Sequence, residues 1–183
     1  MKKRETGVLL HISSLPSNHG IGTFGRGAYE FVDFLVSSGQ TYWQILPLGP
    51  TSYGDSPYQA FSTFAGNPYF IDLPQLQEKG LLTEEELLEN RHDTQRVDYG
   101  WLWNTRFALL RKAFSRFVPD ESYAAFCQKH SHWLNDYALF MALKDFFRGK
   151  CWYEWPEDIR LRYGYAMDHY RRELYFEIEF HMY

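Results

Sequence analysis

A chain of 183 residues with a net charge of -4 and a pI near 6.0 lacks the clustered basic patch and high pI of a nucleic-acid binder, so no nucleic-acid partner is expected. Aromatic residues form 19% of the chain, which suits either an aromatic-rich core or a carbohydrate surface. Val8–Leu10 falls short of the roughly 7–15 apolar residues of a signal-peptide core, and no stretch approaches the ~20 of a transmembrane helix, so no membrane partner is expected.

Gly7–Ile12, GVLLHI, reads as a buried strand that ends in the loop Ser13-Ser14-Leu15-Pro16, with His11 at its exit as a structural residue. Gly20, Gly22, Gly25 and Gly27 follow. Gly20–Gly25 matches the bare spacing G-x-G-x-x-G, but Ser13–His19 separates it from the strand and no ribose-binding acid follows the second strand, so no dinucleotide is expected. Ala28, Phe31, Val32 and Leu35 have the period of an amphipathic helix, which Gly39 stops. Thr41–Leu46 is a second strand ended by Pro47. Strand, helix and strand make a parallel β-α-β unit, whose strand-exit loops form the functional rim in a (β/α) barrel.

The loop from Pro47 to Pro68 has neither helical nor alternating period, carries Tyr53, Tyr58, Phe61 and Phe64, and has Asp55 as its single charge. A long loop of that composition is read as a binding surface. Beyond Asp72 the sequence turns helical. Thr83-Glu84-Glu85-Glu86 is a capping box opening a helix through Leu88. Trp103, Phe107, Leu110, Phe114 and Phe117 form an apolar stripe read as helix core. Helices are expected over Ser122–Lys129 and His132–Phe147, the latter with Leu134, Tyr137, Ala138 and Met141 inward. His130 and His132, two apart, would not face each other on one helix, so no metal is expected. Pro156 starts a short helix, and a last one runs from about Tyr165 to Tyr183 with Tyr170, Leu174 and Ile178 on one side. Arg160, Arg162, Arg171 and Arg172 lie among acids as a solvated face. Cys127 and Cys151 have no metal or redox spacing; they read as packing residues in a reducing, cytoplasmic setting.

GVLLHISSLPS, followed by YWQ, LPLGP, YGDSPYQ, FAGNPY and IDL over Tyr42–Leu73, closely resembles the start of 4-α-glucanotransferases of the amylomaltase (disproportionating enzyme) family. The resemblance continues through Arg96–Gly100, the YALFMALKD segment from Tyr137, WYEWPEDIR from Trp152 and IEFHMY from Ile178. Ile12 and Ser13 depart from the usual Pro and Thr, and Trp103 stands where Tyr is common.

The resemblance implies an α/β fold, the N-terminal part of a (β/α)8 TIM-type barrel with a largely helical insertion. Residues 1–75 would supply the first barrel strands and loops, 76–164 the insertion, and 165–183 the start of a barrel helix. With two clear strands where a barrel needs eight, and an end inside a helical pattern, the sequence reads as a portion of a longer enzyme. The implied chemistry is retaining transfer of a 1,4-α-glucan segment to a sugar 4-hydroxyl, with a maltooligosaccharide or α-glucan as substrate and no cofactor. The nucleophile Asp, acid/base Glu and a third Asp of the family lie on later strands, so no catalytic residue is assigned here.

Ser56 and Tyr58 would line the donor subsites, and Tyr53 and Trp103 an outer stacking site. A sugar's apolar face over an aromatic ring supports such stacking independently of the family. Asp55, Asp72, Asp98 and Glu154 are read as caps, turns or surface acids. Two rivals remain. A serine hydrolase built on Gly54-Asp55-Ser56 lacks an Asp with a His three residues later as its triad pair. The other is a non-catalytic α-glucan-binding module.

Overall fold

The computed structural model describes residues 4–52, 54–92 and 95–183. Cα packing divides the chain into two compact units, one ending at Phe117 and the other Val118–Tyr183.

In the first unit β1 (Gly7–Leu9) pairs in parallel with β2 (Tyr42–Gln44), Gly7 opposite Tyr42 and Leu9 opposite Gln44, and α1 (Arg26–Ser37) lies between them in sequence. The parallel β-α-β unit is present as expected. Both strands are shorter than predicted; β1 stops because past Leu10 the chain tightens into a 3-10 turn at Ile12–Ser14. The first strand is also not buried. Leu9 is 58% and Tyr42 57% exposed, since a sheet of two strands covers few of its own side chains. Along α1, Ala28 and Leu35 are buried and Phe31 packs edge-on against Trp43 at 4.9 Å, while Val32 faces outward. Gly39, at φ +71°, ends the helix in the left-handed cap that places Gln40 N 2.9 Å from Leu35 O.

Asp72 caps α2 (Leu73–Glu78) by accepting from Gln75 N at 3.0 Å. The predicted capping box opens α3 (Glu84–Glu89), with Glu86 N donating to Thr83 Oγ1 and Thr83 N donating to Glu86 Oε2. Glu86 then serves a second helix. Arg116, in the last turn of α4 (Tyr99–Arg116), grips its carboxylate with two guanidinium nitrogens at 2.6 and 2.9 Å.

The stripe expected on α4 is displaced. Leu102, Arg106, Leu109, Leu110 and Ala113 are the buried positions, and Trp103 is 67% exposed. An arginine on that face broke the apolar pattern. Arg106 is tolerated there because Nη2 donates to His19 O at 2.9 Å and Nη1 to Ile71 O at 3.2 Å. Burial pulls its pKa to about 10, opposed by the charge of Asp72, so it stays protonated at neutral pH. The unit's core gathers Ile12, Leu15, Ile21, Ala28, Tyr69, Phe70 and Leu102.

The second unit is helical: α5 (Glu121–Lys129), α6 (Leu134–Phe146), α7 (Glu157–Arg160), α8 (Gly164–Glu173) and α9 (Tyr175–Met182). On α6, Leu134 and Ala138 are buried as expected, and Leu139, Ala142 and Leu143 complete the inner face. These last three pack with Trp155, Ile159, Ala166, Met167 and Leu174. The single last helix predicted from Tyr165 is instead two, broken at Leu174, whose φ of -100° and ψ of 20° leave the helical region. Cys127 is half-buried, but Cys151 is exposed and packs no core.

Candidate functional site

The exits of β1 and β2 are laced together by the residues just beyond them. Leu10 N donates to Gln44 O at 3.1 Å, Trp43 Nε1 to Leu10 O at 2.6 Å, and Leu46 N to Nδ1 of His11 at 3.2 Å. Just past β1 the loop from Ser13 to Gly25 folds back on its own start at backbone distance. Gly22 N donates to Ser13 O at 3.2 Å, and a Cβ at Gly22 would lie 2.0 Å from Ile12 O. The glycines of the bare G-x-G-x-x-G match thus serve packing. Gly25 likewise sits against the Asp72 carboxylate, which Thr23 also reaches at 2.5 Å.

The long loop is ordered by its own backbone. Thr51 and Ala60 form an antiparallel bridge, Ser52 N donates to Gln59 O at 3.2 Å, and Asn67 N to Leu48 O at 2.8 Å. Between the bridge partners the chain turns through Gly54 at φ +93° and Asp55 at φ +55°, with Asp55 N on Ser52 O at 3.1 Å. Asp55 is therefore a turn residue, as read from the sequence, and it is also half-buried. It lines a cavity of about 150 Å³ with His11, Ser14, Pro57, Asn67 and Tyr99.

The sequence-predicted site residues are distributed as follows. Ser56 is half-buried, and its Oγ accepts from Tyr58 N at 3.3 Å, so the two share one turn. The Tyr58 ring is 72% exposed. Trp103 is exposed on α4 with the Phe107 ring edge-on behind it at 5.8 Å. Tyr53 lies outside the described residues. Trp103 and the Ser56–Tyr58 turn share no hydrogen bond or ring contact among the described residues.

Three of the four acids are satisfied locally. Asp72 and Asp98 cap helices, and Glu154 accepts from Cys151 N at 3.1 Å. Asp55 is the exception in its electrostatics. Burial raises its own pKa, and its charge adds to burial in raising Tyr99 and in pushing Tyr69 up to about 12. His11 is shifted down by burial. His11 and Asp55 as neighbours of one cavity were not legible in sequence. The available signals were a lone charge after Gly54 and a histidine at a strand exit.

Among the described residues no group of three or more His, Cys, Asp or Glu is gathered to hold a metal ion. His130 closes α5, and its Nδ1 accepts from Trp133 Nε1 at 3.3 Å. No helix among the described residues is long and apolar enough to cross a membrane.

Comparison with known proteins adds to this geometry. A family model described as 4-alpha-glucanotransferase matches residues 10–183. The 4-alpha-glucanotransferase of Clostridium butyricum is 53% identical over 169 residues, covering 90% of this chain and 35% of its own length. That of Streptococcus pneumoniae is 50% identical over 187 residues, covering 99% of this chain and 37% of its own. Among solved structures, the amylomaltase from Streptococcus agalactiae in complex with acarbose superposes with a TM-score of 0.91 at 42% identity, over 98% of this chain and 38% of that one. The chain thus spans about a third of the length of the relatives it matches.

Proposed function

The chain belongs to the 4-alpha-glucanotransferase family, and from that premise we propose that it forms the sugar-contacting portion of an enzyme that transfers a 1,4-α-D-glucan segment to a 4-hydroxyl of glucose or another 1,4-α-glucan. The observation that carries this reading is the family match over residues 10–183, which takes in both strand exits and the whole Pro47–Pro68 loop. The TIM-type barrel assignment draws support from the parallel β1-α1-β2 unit and from the likeness to an amylomaltase. Within it, residues 1–75 are assigned to the first strands and loops of the barrel, 76–164 to the helical insertion and 165–183 to the start of a barrel helix.

The reaction proceeds by double displacement with retention, which needs two carboxyl groups about 5–5.5 Å apart, one attacking the anomeric carbon and one protonating the leaving oxygen. Those carboxylates are supplied beyond residue 183. What the present residues contribute is orientation and exclusion of water, so that a sugar hydroxyl is the acceptor. Ser56 and Tyr58 contact the donor sugar. Tyr53 and Trp103 stack against a longer glucan, a role that suits the exposed indole of Trp103 backed by Phe107. A cytoplasmic setting accords with two free cysteines.

Incubation with maltotriose tests the reading. An enzyme of full family length carrying this chain should yield glucose and longer maltooligosaccharides, and residues 1–183 alone should yield neither. Disproportionation by the 183-residue chain would overturn the assignment of the carboxylates downstream. Glucan binding without transfer by the long enzyme would favour a non-catalytic binding module instead.

A further inference from the structure

We propose that the cavity at the exits of β1 and β2 recognises hydroxyl groups of one glucosyl unit, with His11 Nε2–H as a fixed donor and the Asp55 carboxylate as an acceptor. The proposal rests on the glucan reading above and assigns two residues to it that the family resemblance did not.

The tautomer of His11 follows from one contact. Leu46 N donates to Nδ1 at 3.2 Å, so Nδ1 is unprotonated and the neutral ring carries its hydrogen on Nε2. Burial favours that neutral form. Phe70 meets the ring edge-on at 5.3 Å and restrains its plane. The backbone that carries Asp55 is held by the bond from its amide to Ser52 O and by two successive left-handed residues that fix the direction of the turn. Among the described residues neither Nε2 of His11 nor the Asp55 carboxylate is hydrogen-bonded to protein, whereas Asn67 Oδ1 in the same wall is already taken by Tyr69 N at 3.0 Å.

The chemistry selects the ligand class. A hydroxyl both donates and accepts, so adjacent hydroxyls satisfy one obligate donor and one obligate acceptor together. A phosphate or carboxylate would face the charge of Asp55, and a hydrocarbon would leave both groups unpaired. Size agrees, since a water needs about 10–15 Å³ of such space. A cavity of about 150 Å³ therefore admits the hydroxylated edge of a sugar as well as several waters. Its lining residues Asp55 and Pro57 flank Ser56, so it adjoins the turn assigned to the donor sugar.

The test uses an enzyme of full family length carrying this chain. Transfer by the unaltered enzyme is measured first, and its failure would count against the glucan reading and not against the pocket. His11→Phe keeps a ring against Phe70 without the donor, and His11→Gln restores a donor. The expected result is a loss of about 3- to 10-fold in kcat/KM for maltotriose with His11→Phe, the scale of one hydrogen bond, largely recovered with His11→Gln. The loss should vanish for the monodeoxy maltotrioside that lacks the contacted hydroxyl, as should most of that with Asp55→Asn for a neighbouring position. Because either variant can fold poorly, the 15N resonances of the His11 ring are followed in the unaltered enzyme, where Nε2 should shift on adding maltose. Equal losses with every deoxy sugar, or a His11 ring unmoved by maltose, would mean a pocket of ordered solvent only and would overturn the proposal.

Discussion

At the scale of single residues, close backbone approach sets the sharpest demand. A methyl group at Gly22 would lie 2.0 Å from Ile12 O and 2.8 Å from Leu15 N, both backbone atoms that cannot swing aside. Gly22→Ala should therefore destabilise by about 1–3 kcal/mol, the range for forcing an extra methyl into a packed site. The check is a lower thermal midpoint in an enzyme of full family length, with Gly66→Ala, whose added methyl meets nothing within 4 Å, as the control. Trp103 poses the opposite case, a large ring that the fold exposes. Trp103→Ala should weaken long-glucan binding by about 1–2 kcal/mol and leave maltotriose turnover little changed. If both substrates lost equally, Trp103 would not belong to an outer site.

At the scale of elements, the clip between α3 and α4 has a pH signature. The bidentate grip of Arg116, with the Thr83 amide, lowers the Glu86 pKa from 4.5 to about 2. A depressed folded value means that the clip's stabilisation is present above pH 4.5 and is lost as pH falls toward 2. A 13C titration of the Glu86 carboxyl should accordingly show little protonation at pH 3.5, and Glu86→Gln should remove this part of the acid sensitivity. A midpoint near 4 would dissolve the clip. The capping box of α3 was legible in sequence because its partners lie three residues apart. The break at Leu174 was not, because Leu174 satisfies the apolar period of the helices on both sides and no Gly or Pro marks the turn. On α4 the buried Arg106 concealed the inner face, since its partners stand 87 and 35 residues away. The long loop announced itself by composition, whereas the bond from Leu46 N to His11 spans 35 residues and leaves no local trace.

At the scale of the whole molecule, apolar side chains remain uncovered on the first unit. Tyr29, Val32, Phe34 and Val36 of α1 are 68, 44, 57 and 71% exposed, beside a two-stranded sheet with open edges. The isolated 183-residue chain should therefore retain far-UV helical signal, give weak near-UV signal and bind a hydrophobic dye. A sharp cooperative melt of the monomer would contradict this. Arg106 has a different consequence, which concerns how such a chain tolerates change. Its guanidinium holds the main-chain oxygens of His19 and Ile71 and neither of their side chains. Positions 19 and 71 are thus free, as far as this tie is concerned, to exchange one side chain for another. Position 106 is not, and neither is the spacing: adding or deleting one residue next to either carbonyl would swing the oxygen out of reach while leaving the composition of the loop almost unaltered.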